Sequence, residues 1–268
     1  MAGPSAGGSS TAEGPHAGLN AGPVLLLHGQ PGSARDWDLV VASLGAGADV
    51  VAIERPGWDG DPAATDLAGN VQAALAALDA RGIERAIVVG HSLGSAVAAW
   101  LAAEHPERVV ALVLASPTAN MDSLYLLDHW LAAPVVGYIV GVAALASLGL
   151  ALTTGPVRRR IADDLALDDR YLKAAARRLL APAAWRAFTT EQRALVRDLP
   201  TLERRLDRIS APTTIVAGAA DRIVPVASAQ RLAEQIHGAE LVLLERAGHL
   251  LPLQHAHRLA EIIAGARP

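Results

Sequence analysis

The 268-residue sequence predicts an α/β protein, with a doubly wound, mostly parallel sheet of about six strands and a helical cap inserted into it. Short apolar runs bounded by turn residues recur along the chain, as strands buried on both faces require. Segments of helical period separate them. Residues 117–200 break that alternation with helical patterns and no convincing strand run. The expected organisation is a core of 23–116 and 201–268, a cap of 117–200, and a flexible tail over 1–22.

The tail is rich in Gly, Ser, Ala and Pro and has neither a basic n-region nor an apolar h-region. It therefore does not read as a secretory signal, and the default expectation is a cytoplasmic protein. The first apolar run, 24–27, ends in His28-Gly29. The second, 50–53, ends in Glu54-Arg55-Pro56-Gly57. Asp66 opens a helical pattern that runs to Arg81, with Gly82 placed to close it. A third strand, 87–89, leads into Gly90-His91-Ser92-Leu93-Gly94, and a helix over 95–104 stops before Pro106. Strands four to six are 109–114, 213–217 and 240–244, with helices over 226–236 and 254–265.

Half the residues are apolar but only 3% are aromatic, so pockets should be lined by Leu, Val and Ala. The net charge of −4 and the lack of a basic stripe argue against a nucleic-acid partner. With no cysteine, disulfides and thiol chemistry are excluded, and the compartment is not readable from redox logic. Nothing calls for a cofactor or metal: His255 and His257 lack a third ligand pattern and read as helix-face residues.

In open parallel sheets, ligands bind beyond the carboxyl ends of the strands. The residues after strands three, five and six carry complementary chemistry. Gly90-His91-Ser92-Leu93-Gly94 fits Gly-x-Ser-x-Gly between a strand and a helix, a sharp turn that projects a serine above the sheet. A serine hydroxyl needs a base and a group to orient that base. Asp221 follows strand five and His249 follows strand six, which completes the order Ser, Asp, His. Acyl transfer also needs N–H donors for a developing oxyanion, and Gln30 and Leu93 are placed to supply them.

These segments resemble the α/β-hydrolase superfamily, in particular its serine esterase and lipase members with a helical cap. The resemblance covers 23 to about 113 and 213 to the end. It rests on HGQPGS at 28–33, ERPG at 54–57, GHSLG at 90–94, GAADRIVP at 218–225 and AGHLLP at 247–252. It implies Ser92 as nucleophile, Asp221 as acid, His249 as base and the same oxyanion hole. The sequence departs from the family in two places. Only the Gly/Ser-rich tail stands where a hairpin of strands usually precedes the His-Gly strand. Glu54 stands where Asp is common.

Competing readings remain for several of these residues. Ser92 fits an ordinary Gly-flanked turn, His249 a hydrogen-bonded loop histidine, and Asp221 the N-cap of the helix beginning at 226. Asp122, beyond strand four, is a rival acid. His28 reads as structural and His105 as a connector. His91 either touches substrate or supports the turn. His91, Trp130 and Tyr138 are the expected substrate contacts.

Residues 131–152 are uncharged and of membrane-spanning length, contain Gly137 and Gly141 at Gly-x-x-x-Gly spacing, and precede Arg158-Arg159-Arg160. A single crossing would put strands four and five on opposite sides of a bilayer and part Ser92 from His249. Pro134 also divides the stretch. The preferred reading is apolar cap helices over the site, and the alternative is peripheral membrane contact through the same segment.

The expected activity is hydrolysis of a hydrophobic carboxylic ester through an acyl-enzyme. Alternatives on the same triad are C–C, lactone or thioester hydrolysis and metal-free perhydrolysis. An alternative of another class is a small-molecule receptor or non-catalytic scaffold. The sequence leaves the oligomeric state open.

Overall fold

The computed structural model describes residues 22–61 and 63–266. The expected tail falls almost wholly on 1–21, outside the described residues. Six parallel strands form one sheet in the order β2-β1-β3-β4-β5-β6. They are β1 (Val24–Leu27), β2 (Val50–Ile53), β3 (Ala86–His91), β4 (Val109–Ala115), β5 (Thr213–Gly218) and β6 (Glu240–Leu244). The chain starts in the middle of the sheet, steps out to β2, then crosses back past β1 to β3 and continues the other way. That reversal opens a crevice between the ends of β1 and β3.

Alternate residues explain why the strands read as unbroken apolar runs. Leu25, Leu27, Val88, Leu112 and Leu114 enter the core on one face. Val24, Leu26, Ile87, Val89 and Val113 enter the core on the other. The first face is covered by α2 (Leu67–Asp79), α3 (Leu93–Glu104) and α9 (Val226–Gln235). The second is covered by α1 (Asp38–Leu44) and α11 (Ala256–Gly265). Asp66 caps α2, its side chain accepting the Gly69 N–H at 2.8 Å. The sequence reading lacks α1. It is seven residues long and buries only Val40 completely, too short for its period to stand out.

Strand β3 runs to His91 and α3 begins at Leu93, so one residue, Ser92, turns the chain. The last expected helix, 254–265, is α11, and a short α10 (Leu251–Gln254) precedes it.

Between β4 and β5 lie α4 (Leu126–Ala132), α5 (Val136–Thr153), α6 (Gly155–Leu165), α7 (Asp169–Leu179) and α8 (Pro182–Glu203). Strands β4 and β5 are neighbours paired in parallel, so the chain leaves the sheet for these five helices and returns to it beside the strand it left. The Gly-x-x-x-Gly spacing serves packing inside the protein. A Cβ on Gly141 would lie 3.1 Å from the Phe188 ring, and one on Gly137 would overlap the Leu131 carbonyl. Gly149 lies in the same way against Leu179 and Leu180 of the next helices.

Candidate active site

The turn from β3 into α3 holds Ser92 at φ 53° and ψ −123°, backbone space that side chains with a Cβ rarely enter. The surroundings impose it. The Ser92 N–H donates to the Ala115 carbonyl at 2.9 Å, and the Ser92 carbonyl accepts from the Ser95 N–H at 2.9 Å. The flanking glycines permit it. A Cβ on Gly90 would stand 2.3 Å from the Gly94 carbonyl oxygen, and one on Gly94 would stand 2.2 Å from the Leu27 carbonyl oxygen. Leu93 is the first residue of α3, so its N–H has no carbonyl one turn back to bond.

Asp221 lies beyond β5 with a side chain 2% exposed. Its Oδ1 accepts the N–H groups of Ile223 at 2.8 Å and Val224 at 3.0 Å. Its Oδ2 accepts from His249 Nδ1 at 2.8 Å. Burial alone would push this carboxyl up, but the His249 ring and the two N–H groups outweigh it and hold the carboxyl below its usual range. Pro225, not Asp221, stands at the N-cap of α9, and Asp122 is exposed in a short 3-10 turn. Because Nδ1 donates to the carboxylate, the lone pair of a neutral His249 ring sits on Nε2.

His91 supports this arrangement. Its Nε2–H donates to the His249 carbonyl at 2.9 Å, and its ring lies 5.0 Å from that of His249. Burial first, then the neighbouring His249, lowers its pKa to about 3, so His91 is neutral around pH 7. The ring also lines the larger cavity described below.

The loop after β1 meets the turn across the crevice: a Cβ on Gly29 would lie 3.0 Å from Ser92 Cβ. Buried groups fix this loop. His28 Nδ1 donates to the Gly29 carbonyl at 2.8 Å, while Nε2 accepts the Arg55 N–H at 3.1 Å, which sets its tautomer. Burial, then the Arg55 charge, keeps His28 neutral. The Arg55 guanidinium donates to the carbonyls of His28 and Gly29, each at 2.9 Å. It also pairs with Glu191 of α8, whose other oxygen accepts from Trp58 Nε1 at 3.0 Å. Gln30 follows in this loop, and its Nε2 donates to Gln192 Oε1 at 2.6 Å. Gln192 Nε2 in turn donates to Asp128 Oδ1 at 3.0 Å.

The sequence reading missed Glu191 and Gln192. Their signal is two polar residues on the buried stripe of an amphipathic helix, in line with Ala187 and Leu195. Such groups are buried only with partners.

Two cavities meet at Gln30 and Ile223. The smaller, about 150 Å³, is walled by Ser92, Leu93, Leu131, Phe188 and Gln192. The larger, about 290 Å³, runs from His249 and His91 between Leu148, Leu152, Leu165 and Leu172. Its polar groups away from the histidines are Asp36, Tyr171 and Arg178, with Tyr171 Oη donating to Asp36 Oδ1 at 3.1 Å. Trp130 and Tyr138 line neither cavity and are 58% and 42% exposed, which corrects their expected role. Leu131 lines the smaller cavity from α4, and Leu148 and Leu152 line the larger one from α5.

Residues 24–262 match the sequence profile of the Alpha/beta hydrolase family. The chain belongs to that family. A pimeloyl-[acyl-carrier protein] methyl ester esterase of Neisseria meningitidis serogroup C is 31% identical over 230 residues, which cover 82% of this chain and 84% of that one. A 2-hydroxymuconate semialdehyde hydrolase of a Pseudomonas species is 28% identical over 82% of this chain and 77% of its own. The solved enol-lactonase of Burkholderia xenovorans superposes with a TM-score of 0.73 at 20% identity, over 92% of this chain and 91% of that one, a likeness of fold. This α/β hydrolase is an enzyme of the hydrolase class.

Proposed function

We propose that this α/β hydrolase is a serine hydrolase that cleaves a hydrophobic carboxylic ester through an acyl-enzyme. The observation that carries the reading is the 2.8 Å hydrogen bond from His249 Nδ1 to Asp221, which leaves Nε2 as the base. The strained serine of the β3–α3 turn is its partner. His249 takes the Ser92 proton as Oγ attacks the ester carbonyl, and Asp221 stabilises the imidazolium that forms. The N–H groups of Gln30 and Leu93 receive the oxyanion, and removal of one such donor costs about 2.7–4 kcal/mol of transition-state stabilisation. His249 then protonates the leaving alkoxide. It later removes a proton from the water that attacks the acyl-enzyme.

The leucine-walled cavity fits an apolar acyl or alcohol group, and a relative bearing the name of a methyl ester esterase supports the ester class. The relative named as a semialdehyde hydrolase favours a second reading, C–C hydrolysis on the same three residues. A panel of nitrophenyl esters, lactones and vinylogous diketones separates the two. Ser92→Ala and His249→Ala are each expected to lower ester turnover by roughly 10⁴-fold or more. Wild-type turnover in either variant would overturn the mechanism. Labelling of Ser92 by a fluorophosphonate without turnover of any substrate in the panel would favour a receptor instead.

A further inference from the structure

Helix α5 is apolar around its whole circumference yet only partly covered. Its 18 residues have a mean hydropathy of 2.0, and 28% of the segment is buried. The buried positions are Gly137, Gly141, Leu145, Gly149 and Leu152, a single stripe against the rest of the cap. A helix apolar on all sides normally lies in a protein core or in lipid. Here the remainder faces outward together with α4: Leu126, Leu127, Trp130, Val135, Ile139 and Leu150 are each 58–75% exposed. Elsewhere among the described residues, large exposed apolar side chains are scattered singly at Leu39, Val157, Ile223 and Leu243. A clustered patch of this kind marks an interaction surface.

Charge identifies what covers it. The cap, 117–200, carries ten Arg and Lys against eight Asp and Glu, in a chain whose net charge is −4. Basic groups stand at both ends of the apolar segment. Arg159 and Arg160 are exposed in the first turns of α6, just past the end of α5, and Arg160 lies 3.7 Å from Asp164 one turn on. At the other end, Arg193 donates to the Pro134 carbonyl. A second copy docking by the same face would bring like charges together, whereas anionic headgroups complement them. Exposed Tyr125 and Trp130, next in sequence to exposed Leu126 and Leu127, suit the headgroup level of a bilayer. Strands β4 and β5 are neighbours, so α5 lies in the surface plane and does not cross. The opposite side of α5 supplies Leu148 and Leu152 to the larger cavity, so one helix separates lipid from the space that reaches His249.

We propose that the outer face of α4 and α5 docks in the interfacial plane of a bilayer containing anionic lipid. Docking stands apart from the reaction proposed above, because its readout is binding.

The test is cosedimentation of the full chain with vesicles of phosphatidylcholine alone and of phosphatidylcholine with phosphatidylglycerol. The wild-type chain is expected to partition onto the anionic vesicles. Ile139→Glu combined with Leu150→Glu, at exposed positions outside both cavities, should weaken partitioning at least tenfold. Arg159→Ala should weaken it roughly fivefold, the share of one basic residue near an anionic surface. That second variant also keeps the test decisive should the double variant misfold. No binding to either vesicle, or binding that neither variant changes, overturns the proposal. So does a dimer in sedimentation equilibrium that the double variant splits while vesicle binding is nil, since the face then belongs to a second copy.

Discussion

At the carboxyl edge of the sheet, the groups of the candidate site are held from several sides. The Asp221 carboxylate accepts three hydrogen bonds, Ser92 sits at a positive φ fixed by neighbouring strands, and Arg55 ties down two carbonyls of the loop before Gln30. On the outer cap, α5 meets its neighbours through one stripe of small residues and leaves the rest of its surface uncovered. This second region specifies little beyond being apolar. Under the proposed function, this contrast would place the chemistry at the sheet edge and the choice of substrate with α4–α8.

The largest effect should follow from breaking the core side of the contrast at Asp221. Asp221→Asn keeps the shape but loses the charge that favours the Nδ1–H tautomer and the imidazolium, and kcat should fall by roughly 10⁴-fold with KM little changed. The same variant carries a pH signature. The folded state holds this carboxyl below its ordinary value, so its contribution to stability is full above the unfolded-state pKa of about 3.9. That contribution is lost as the pH falls through the lower folded-state value. Urea unfolding should therefore show the wild type ahead of the variant at pH 7, with the gap closing below about pH 4. A gap that widens on acidification would show that the carboxyl is not stabilised in its ionised form.

A smaller effect is expected where the two regions join. Glu191 belongs to the cap helix α8 and Arg55 to the core loop, and both side chains are almost completely buried. Glu191→Gln leaves the guanidinium uncompensated, which should cost about 3–5 kcal/mol in urea unfolding. Replacing both members by Met should recover much of that loss, because a well-packed apolar pair avoids the desolvation of two charges. If Glu191→Gln costs under about 1 kcal/mol, the pair is not what seats α8 on the loop after β1.

What was legible in the sequence follows the same division. Ser92 directly follows β3, and Asp221 and His249 lie in the loops after β5 and β6, so local pattern and chain order were enough to expect Ser92 on the sharp turn and Asp221 close to His249. The pairing order β2-β1-β3 was not written locally, since all six strands are similar aliphatic runs. The Arg55–Glu191 pair joins residues 136 apart in sequence, and no local periodicity reports a contact at that separation. Trp130 and Tyr138 failed for a related reason. An aromatic near a site suggests a pocket wall, but on a helix apolar all round the sequence does not mark which side faces in. Only Gly137, Gly141 and Gly149, spaced for close approach, carry that information, and they mark the buried stripe of α5.

The smallest predicted effect sharpens the cap side. Leu165, at the end of α6, is only half-buried and lines the larger cavity together with Leu148 and Leu172. Leu165→Trp should shorten the space available to an acyl chain without touching Ser92, Asp221 or His249. Each methylene that no longer fits forfeits about 0.8 kcal/mol, close to fourfold in kcat/KM. A series of nitrophenyl esters from acetate to decanoate should then show activity on the shortest member unchanged and a preference shifted toward shorter chains. A uniform fall across the series would instead mean that the substitution had disturbed the core, and the cavity beside α6 would lose its claim to hold the acyl group. An unchanged profile would move the acyl group to the smaller cavity, between Leu131 and Phe188, directly beside Ser92.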